Sequence, residues 1–371
     1  MSADDVPATA PGTPEDLPIK QIGRYELIER VGKGGMGVVY RGRDTTMGRT
    51  VAVKMLVSDI DVSDETRERF FREARSAGQL THRNIITIYD FGEEQGRAYI
   101  VMELLTGESL TGLLGRNVKL SLEQQIDMMA RVSEGLAFAH SKGIIHRDVK
   151  PANLFVTAEG QIKILDFGVA RIASSKLTRS GLLVGTPDYM SPEQVMGMVV
   201  DQRSDVFSAG SVFYQLLTGR KPFAAKRLPQ ILNNVANEQP LPITPDEAPP
   251  ELAAIVMKAL EKDPAKRYQR MVELLMSLTK FLQAWDRETR EMASKACVLY
   301  HDVERLLAER HATDEVAAAP FLRDLPLFAE RGGDVLTVVP FRRAKIAEIT
   351  QALVAQRGRL DAGGGAPPAG S

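Results

Sequence analysis

The chain has 371 residues, of which 44% are hydrophobic and 26% are charged. This composition is ordinary for a globular protein, and the length leaves room for about two domains or one large two-lobed domain with an extension. The formal net charge of −1 argues against a general nucleic-acid binder, which would carry a basic excess or a basic stripe.

Cysteine usage and hydropathy indicate the compartment. The one cysteine, Cys297, excludes an intrachain disulfide framework and favours a reducing environment. No run approaches the ~20 apolar residues needed to span a bilayer. Residues 1–18 also lack the basic-then-apolar order of a signal peptide. We therefore expect a cytoplasmic protein without a membrane span.

The first part of the chain is predicted to be a strand-rich lobe with one helix, reaching to about residue 105. It follows a leader at 1–22 that lacks periodicity and is expected to be disordered. A helical pattern at 63–80 places Glu73 on the same face as Phe70 and Ala77. Alternating apolar residues predict strands at 25–31, 38–42, 50–56, 85–89 and 98–102.

From residue 106 the pattern becomes mainly helical, and proline and glycine breaks separate the helices. This second lobe is predicted to contain helices at 122–141, 205–218, 228–237, 252–260 and 272–285.

An extension of unknown role follows at 286–360. It has a helical apolar stripe at 288–310, which favours intramolecular packing over a partner helix, a candidate strand at 334–339 and a helix at 342–355. Residues 361–371 are rich in Gly, Pro and Ala, and we expect them to be disordered.

The segment 146–168 concentrates side chains that can carry chemistry. Strand patterns at 154–156 and 162–165, with a turn at 159–161, predict a hairpin whose open ends are Asn153 and Asp166. An amide and a carboxylate brought together in this way suit Mg²⁺, which keeps few protein ligands and several phosphate oxygens. Asp148 lies on the adjoining loop, where it can face a hydroxyl group.

A glycine-rich turn at Gly32, Gly34 and Gly37 lies between two predicted strands. A dinucleotide-binding turn would open a helix instead, and no glycine stretch here is followed by the Lys-Ser or Lys-Thr of a Walker loop. Because glycine lets backbone amides approach phosphate oxygens closely, the turn is interpreted as a flap over phosphates. A plain glycine hairpin is the alternative.

Lys54 interrupts the apolar strand at 50–56. Taken alone it would be a solvent-facing lysine. Glu73, on the apolar face of its predicted helix, would be costly without a partner. An ion pair between Lys54 and Glu73 would satisfy both residues and direct the ammonium group towards the α- and β-phosphates of a nucleotide.

These motifs, in this order, resemble the eukaryotic-like (Hanks-type) serine/threonine protein kinases of bacteria over residues 25–285. The matching elements are the glycine turn, Lys54, Glu73, the loop 146–153 and the segments 166–168 and 191–193. The resemblance implies an α+β, bilobal protein-kinase fold with a β-rich N-lobe, a mainly helical C-lobe and a C-terminal helical extension. It implies that ATP binds between the lobes.

The resemblance also assigns roles. Asp148 would orient the substrate hydroxyl and accept its proton, and Lys150 would neutralise charge on the transferred phosphoryl group. Asn153 and Asp166 would hold Mg²⁺, for which Mn²⁺ is an alternative, and Lys54 would bind the α- and β-phosphates. The other nucleotide-binding positions implied are Val31, Gly32, Lys33, Gly34, Gly35, Met36, Gly37, Val39, Ala52, Met102, Glu103, Leu105 and Phe155.

The serine/threonine subgroup is indicated by Lys150 and by Thr186, which would position the substrate. Arg147 precedes the catalytic aspartate, the arrangement in which arginine can clamp a phosphorylated activation loop. By their positions relative to Thr186, Thr178 and Ser180 match the autophosphorylation sites of bacterial relatives.

Two further residues resemble structural supports of the family. Asp205 matches the buried aspartate that braces the backbone of the catalytic loop. Arg267 matches the arginine that pairs with Glu193.

The resemblance implies protein substrates carrying serine or threonine, and it leaves a homodimer through the N-lobe open. The alternatives are a catalytically silent pseudokinase scaffold and a small-molecule phosphotransferase. Scaffolds usually lose the lysine or one of the aspartates, whereas Lys54, Asp148 and Asp166 are all present. The segment 185–193 favours a protein substrate over a small molecule.

Overall fold

A computed structural model describes residues 19–34, 37–56, 74–75, 78–94, 96–118, 120–167, 187–309 and 342–362. Two compact units make up the chain. One consists of Met1–Lys119 with Met128–Ser277, and the other of Leu120–Asp127 with Leu278–Ser371.

The first unit begins with a six-stranded antiparallel sheet in the order β1-β2-β3-β4-β6-β5. Its strands are β1 (Gln21–Ile22), β2 (Tyr25–Gly34), β3 (Gly37–Asp44), β4 (Thr50–Leu56), β5 (Ile88–Glu94) and β6 (Arg97–Met102).

Both faces of this sheet are covered. On β4, Val51 and Val53 pack with Tyr25 on one face, and Ala52 packs with Met102 on the other. Successive side chains of a strand point to opposite faces, so the apolar run on β4 predicts a central strand. The second face is the one that meets the candidate site.

The strand predicted at 85–89 is displaced, because β5 begins at Ile88. Ile85 instead forms an isolated parallel bridge with Ile164, and the N–H of Ile86 donates to the Ile164 carbonyl at 3.0 Å. These residues pair with the strand Ile162–Ile164, and the local alternation of apolar residues does not reveal this long-range pairing. Most of the helix predicted at 63–80, including Glu73, lies outside the described residues.

A second, three-stranded sheet supports the site, in the order β7-β8-β9. It contains β7 (Gly107–Ser109), β8 (Leu154–Thr157) and β9 (Ile162–Ile164). β8 and β9 form the predicted hairpin with Leu154 opposite Ile164. The N–H of Leu165 donates to the Asn153 carbonyl at 2.8 Å, so the two open ends of the hairpin meet as predicted.

The rest of the described residues are mainly helical, and short 3₁₀ turns occupy Pro151–Asn153, Pro187–Tyr189 and Pro264–Lys266. The helices are α1 (Leu110–Gly115), α2 (Leu122–Ser141), α3 (Pro192–Val195), α4 (Gln202–Thr218), α5 (Leu228–Asn237), α6 (Pro250–Ala259), α7 (Met271–Glu309) and α8 (Arg342–Ala362).

Helix α4 is the core helix of the C-lobe. Val206, Phe207 and Val212 are buried completely. Asp201 caps its N-terminus by accepting from the N–H of Arg203, and Gly219 ends it with a φ of 69°. A polar N-cap residue and a left-handed glycine after the last turn are common helix start and stop signals.

The second unit is helical where it is described. The helices predicted at 272–285 and 288–310 are parts of one helix, α7, because the sequence between residues 271 and 309 contains no proline or glycine. Within this unit Trp285 Nε1 donates to Glu123 Oε1 at 2.9 Å, and Arg357 pairs with Asp302 at 3.2 Å. The strand predicted at 334–339 lies outside the described residues.

None of the described helices combines the length and the apolar character that crossing a bilayer requires.

Candidate active site

The catalytic loop is braced by a buried carboxylate at the start of α4. Asp205 accepts the N–H of His146 at Oδ2 and the N–H of Arg147 at Oδ1, both at 2.8 Å. His140 Nε2 lies 2.7 Å from Oδ2. Burial by itself would raise the pKa of Asp205, but the hydrogen bond from His140 and the nearby charges lower it. The brace predicted for Asp205 is confirmed.

His146 links this loop to the segment that carries Asp166. Its Nδ1 accepts the N–H of Asp148 at 3.2 Å, and its Nε2 lies 2.8 Å from the Leu165 carbonyl. A backbone N–H can only donate and a carbonyl can only accept, so the ring proton lies on Nε2. The ring also meets Phe167 edge to face, with centroids 4.6 Å apart.

Asp148, Lys150 and Asn153 form a contiguous polar cluster at the mouth of the site. Asn153 Nδ2 donates to the Asp148 carbonyl at 2.8 Å and to Asp148 Oδ2 at 2.9 Å. Lys150 Nζ lies 2.8 Å from the same Oδ2. Because the amide nitrogen of Asn153 is used by Asp148, the oxygen of that amide is the atom left to bind a cation.

Lys54 and Asp166 meet directly across the two lobes. Lys54 Nζ lies 2.7 Å from each carboxylate oxygen of Asp166. Burial would raise the pKa of Asp166, but the Lys54 ammonium group outweighs it and holds that pKa below its usual range. Glu73, the partner predicted for Lys54, lies outside the described residues.

Arg147 and Asp166 both have a left-handed backbone, with φ values of 68° and 56°. Non-glycine residues rarely adopt this conformation, and it is concentrated at functional sites where surrounding contacts hold it in place. Here those contacts are the Asp205 carboxylate for Arg147 and the Lys54 ammonium group for Asp166.

The glycine turn joins β2 and β3 as a tight hairpin in which Gly34 lies opposite Gly37. The turn runs from strand to strand, as predicted. Val31, near its base, is 49% exposed. Gly35 and Met36 lie outside the described residues.

An apolar cluster under β3 and β4 contains four of the positions that the resemblance implies for nucleotide binding. Its members include Val39, Ala52, Met102, Leu105 and also Leu165, which the sequence interpretation did not single out. Phe155 lies on β8, opposite Ser109 and Lys163. The position of Leu165 between a buried strand and Asp166 was the signal that could have identified it.

Glu103 lies in the segment that connects the lobes, and its side chain is held by two hydrogen bonds. Its Oε1 accepts the N–H of Thr87 and the ammonium group of Lys163, each at 2.7 Å. The N–H of Glu103 donates to the Thr87 carbonyl at 3.0 Å. Because its side chain is occupied, Glu103 would contact a nucleotide through its main chain. Sequence reasoning did not find Lys163.

The predicted phosphorylation sites Thr178 and Ser180, and the predicted substrate-positioning residue Thr186, lie outside the described residues. The segment that follows them is firmly held. Glu193 pairs with Arg267 through two hydrogen bonds of 2.8 and 2.9 Å, and both side chains are buried. Burial would raise the pKa of Glu193, but its bonds to Arg267 and Ser204 lower it. This pairing is confirmed.

The donor set fits a divalent cation that arrives with a phosphate group. The Asn153 amide oxygen and the Asp166 carboxylate supply hard oxygen ligands in neighbouring positions. Among the described residues, no group of three or more His, Cys, Asp or Glu side chains could hold a metal unaided. Few protein ligands with the remainder from phosphates is the usual Mg²⁺ arrangement.

Comparison with known proteins agrees with this geometry. A family model described as a protein kinase domain matches residues 25–278. A probable serine/threonine-protein kinase of Streptomyces coelicolor is 41% identical over 265 residues, covering 69% of this chain and 39% of that protein. The serine/threonine-protein kinase PknA of Mycobacterium tuberculosis is 41% identical over 253 residues, covering 67% of this chain and 58% of that protein. The chain thus spans well under two thirds of the length of these relatives.

Among solved structures, the kinase domain of Mycobacterium tuberculosis PknI aligns with a TM-score of 0.56 at 27% identity. The alignment covers 70% of this chain and 97% of that domain. The sequence-based expectation of the Hanks-type bacterial family, with its bilobal fold, is confirmed.

Proposed function

Because the chain belongs to the protein kinase family, we propose that it transfers the γ-phosphoryl group of ATP to serine and threonine hydroxyls of proteins. The observation that supports this most strongly is the Lys54–Asp166 pair, with both oxygens at 2.7 Å, beside the Asp148–Lys150–Asn153 cluster. A phosphate-binding cation, a metal ligand and a candidate base then share one site, and phosphoryl transfer needs mainly positioning and charge stabilisation.

Each described residue has a defined task in this proposal. The Asp148 carboxylate accepts a hydrogen bond from the substrate hydroxyl, orients its oxygen in line with the phosphorus atom and receives its proton. Lys150, which lies 2.8 Å from Asp148, balances charge on the transferred group. Lys54 binds the α- and β-phosphate oxygens. The apolar cluster that includes Val39 and Ala52 takes the adenine ring.

Mg²⁺ is the metal that the donor set suits best. Asn153 and Asp166 would hold it, and it would supply positive charge that neutralises the phosphate groups. Mn²⁺, which also accepts oxygen ligands, would substitute for it.

We also propose that activity is regulated by autophosphorylation at Thr178 or Ser180. A phosphate group on this loop would be recognised by Arg147, whose backbone is fixed by Asp205 at 2.8 Å. Two Arg–phosphate hydrogen bonds are geometrically specific and stronger than neutral ones. Mass spectrometry of the active protein should find one of these two residues modified, and an active protein with neither modified would refute the proposal.

A cytoplasmic location is proposed on cysteine usage, because one cysteine in 371 residues suits a reducing compartment. A homodimer through the N-lobe is the proposed assembly, on the resemblance alone, and sedimentation of the purified chain would test it.

The transfer reaction is tested by incubating the purified chain with labelled ATP and Mg²⁺, beside an Asp148→Asn variant. We expect incorporation of label by the wild type and a loss of at least about 100-fold in the variant. Unchanged nucleotide binding in the variant would show that its fold is intact. A wild type that binds ATP but transfers nothing to itself or to casein would contradict the proposal.

A further inference from the structure

The peptide group between Arg147 and Asp148 is held at both of its polar ends. Its carbonyl, the Arg147 oxygen, accepts a hydrogen bond from Gln194 Nε2 at 2.7 Å. Its N–H, which belongs to Asp148, donates to His146 Nδ1 at 3.2 Å. The orientation of this peptide plane determines the direction in which the Asp148 side chain leaves the backbone.

The conformation at this point needs such support. Arg147 has a φ of 68°, a left-handed backbone that a residue with a Cβ adopts at a cost. Asp205 fixes the N–H of Arg147 at 2.8 Å, and Gln194 fixes its carbonyl. The left-handed residue is thus held before and after its Cα, and both supporting residues lie outside the loop 146–153.

Both the oxygen and the nitrogen of the Gln194 side-chain amide form hydrogen bonds. The N–H of Ser191 donates to Gln194 Oε1 at 2.9 Å, and the N–H of Gln194 donates to Ser191 Oγ at 3.4 Å, a capping box at the start of α3. Because a backbone N–H must donate and the Arg147 carbonyl must accept, the amide orientation is settled by its partners. A glutamate carboxylate at this position could still accept the N–H of Ser191, but it could not donate to the Arg147 carbonyl.

Helix α3 is a fixed support for this contact. Glu193, the neighbour of Gln194, is buried and is paired with Arg267 and with Ser204 Oγ at 2.6 Å. The same short helix overlaps the segment 185–193, which favours a protein substrate over a small molecule. Gln194 therefore connects helix α3 to the peptide group between Arg147 and Asp148.

We propose that Gln194 is a positioning residue for phosphoryl transfer, which fixes the Arg147–Asp148 peptide so that the Asp148 carboxylate faces the substrate hydroxyl. The inference rests on the proposed function. It predicts an effect on the chemical step and little effect on nucleotide binding, because the side chain of Gln194 contacts Ser191 and Arg147 and is not part of the apolar cluster that includes Val39 and Ala52.

The direct test is Gln194→Glu in the full chain. This change keeps the shape and the capping acceptor but places a carboxylate oxygen against the Arg147 carbonyl. The matched control is Gln124→Glu. Gln124 forms the same capping box with Ser121, at 2.9 and 3.1 Å, at the start of α2.

We expect Gln194→Glu to lower kcat towards casein by about 10- to 100-fold, with the KM for ATP changed less than about twofold. Gln124→Glu should leave both constants within about twofold of the wild type. A Gln194→Glu variant with a wild-type kcat, or one whose KM for ATP rises while kcat is kept, would overturn the inference.

The pH dependence separates positioning from a general structural loss. The new carboxylate would be half-buried and would face the Arg147 carbonyl, which raises its pKa above the ordinary value of about 4.3. Protonation restores a donor, so the ratio of wild-type to Gln194→Glu kcat should fall as the pH falls from about 8 to about 5.5. Gln194→Met has no donor at any pH, and its ratio to the wild type should stay constant. Equal and constant ratios for both variants would refute the role of the hydrogen bond. A wild type that phosphorylates nothing would instead refute the proposed function itself.

Discussion

Glu103 Oε1 lies 2.7 Å from Lys163 Nζ, which joins the segment between the lobes to the strand that leads into Asp166. Both side chains are mostly buried, with 21% and 12% exposure. A pair in this position is screened less than a surface pair and couples two parts of the site that differ by 60 positions in the sequence.

We predict that Glu103→Gln and Lys163→Met each lower the free energy of unfolding by about 1–2 kcal/mol, because each leaves a poorly solvated partner. A double-mutant cycle from urea denaturation should give a coupling energy of about 1 kcal/mol. The exposed Arg270–Glu273 pair is the control, and its cycle should give a value close to zero. Equal coupling in the two cycles would contradict the prediction.

Lys54→Met should lower kcat by about 10²–10³-fold, because it removes the cation that binds the α- and β-phosphates and positions them for transfer. Lys226 is an exposed lysine in the lobe that contains α5. The Lys226→Met variant should have an unchanged kcat. Steady-state kinetics with ATP and casein would measure both. A Lys54→Met enzyme with more than a tenth of the wild-type kcat would argue against the role assigned to Lys54.

Asp205→Asn should be among the most damaging single-atom changes in the chain. One acceptor oxygen becomes an amide that faces backbone N–H groups, and the site is completely buried. We expect a loss of about 2–4 kcal/mol in the free energy of unfolding. Asp201→Asn, a similar change at the partly exposed N-cap of the same helix, should cost at most about 1 kcal/mol, since asparagine also caps well. Urea denaturation distinguishes the two, and a similar cost for both would count against the brace.

Stability should fall on the acid side. The pKa values of Glu193 and Asp205 are lowered from ordinary values of 4.5 and 3.8. In that range the unfolded chain binds more protons than the folded one, so the free energy of unfolding decreases as the pH falls. The contribution is complete above about pH 5 and is lost as the pH falls through the lowered folded-state values.

Glu193→Gln is the variant that checks this pH dependence. It should be less stable at neutral pH, because Arg267 loses a charged partner, and its stability should depend less on pH below about 5. Urea midpoints measured between about pH 7 and about pH 3.5 would show the difference. Parallel curves for the variant and the wild type would contradict the assignment.

Gly107 follows the segment between the lobes and has a φ of 139°. A Cβ there would lie 2.8 Å from the Thr157 Cα atom, so neighbouring backbone would have to move. Gly107→Ala should therefore lower the free energy of unfolding by more than about 2 kcal/mol. Gly160→Ala, where φ is 75° and the space is open, should cost only about 1 kcal/mol. Thermal and urea unfolding would rank them, and the reverse order would be a refutation.

Local pattern was sufficient where a structural element depends on its own residues. The hairpin before Asp166 was predicted because strand alternation and the turn at Gly160 lie within a dozen residues of one another. Helices α2 and α5 have the predicted bounds, since their apolar periodicity and flanking breaks are local.

What sequence reasoning missed depends on contacts between distant segments. The shift of β5 comes from the pairing of Ile85 and Ile86 with Ile164. Lys163 and Gln194 look like ordinary polar residues in the sequence, and their partners lie 60 and 47 positions away. Motif spacing identifies residues that are expected to contact the substrate, but it does not identify the residues that position them.

The support of the Arg147–Asp148 peptide has a consequence for protein engineering. A designer who transplanted residues 146–153 into another scaffold would move the reactive groups without the shape of their loop. The left-handed backbone at Arg147 would relax unless equivalents of Asp205 and Gln194 came with it. The smallest portable unit of this site is therefore discontinuous in sequence, and a graft that lacked the two distant supports should bind nucleotide better than it transfers phosphate.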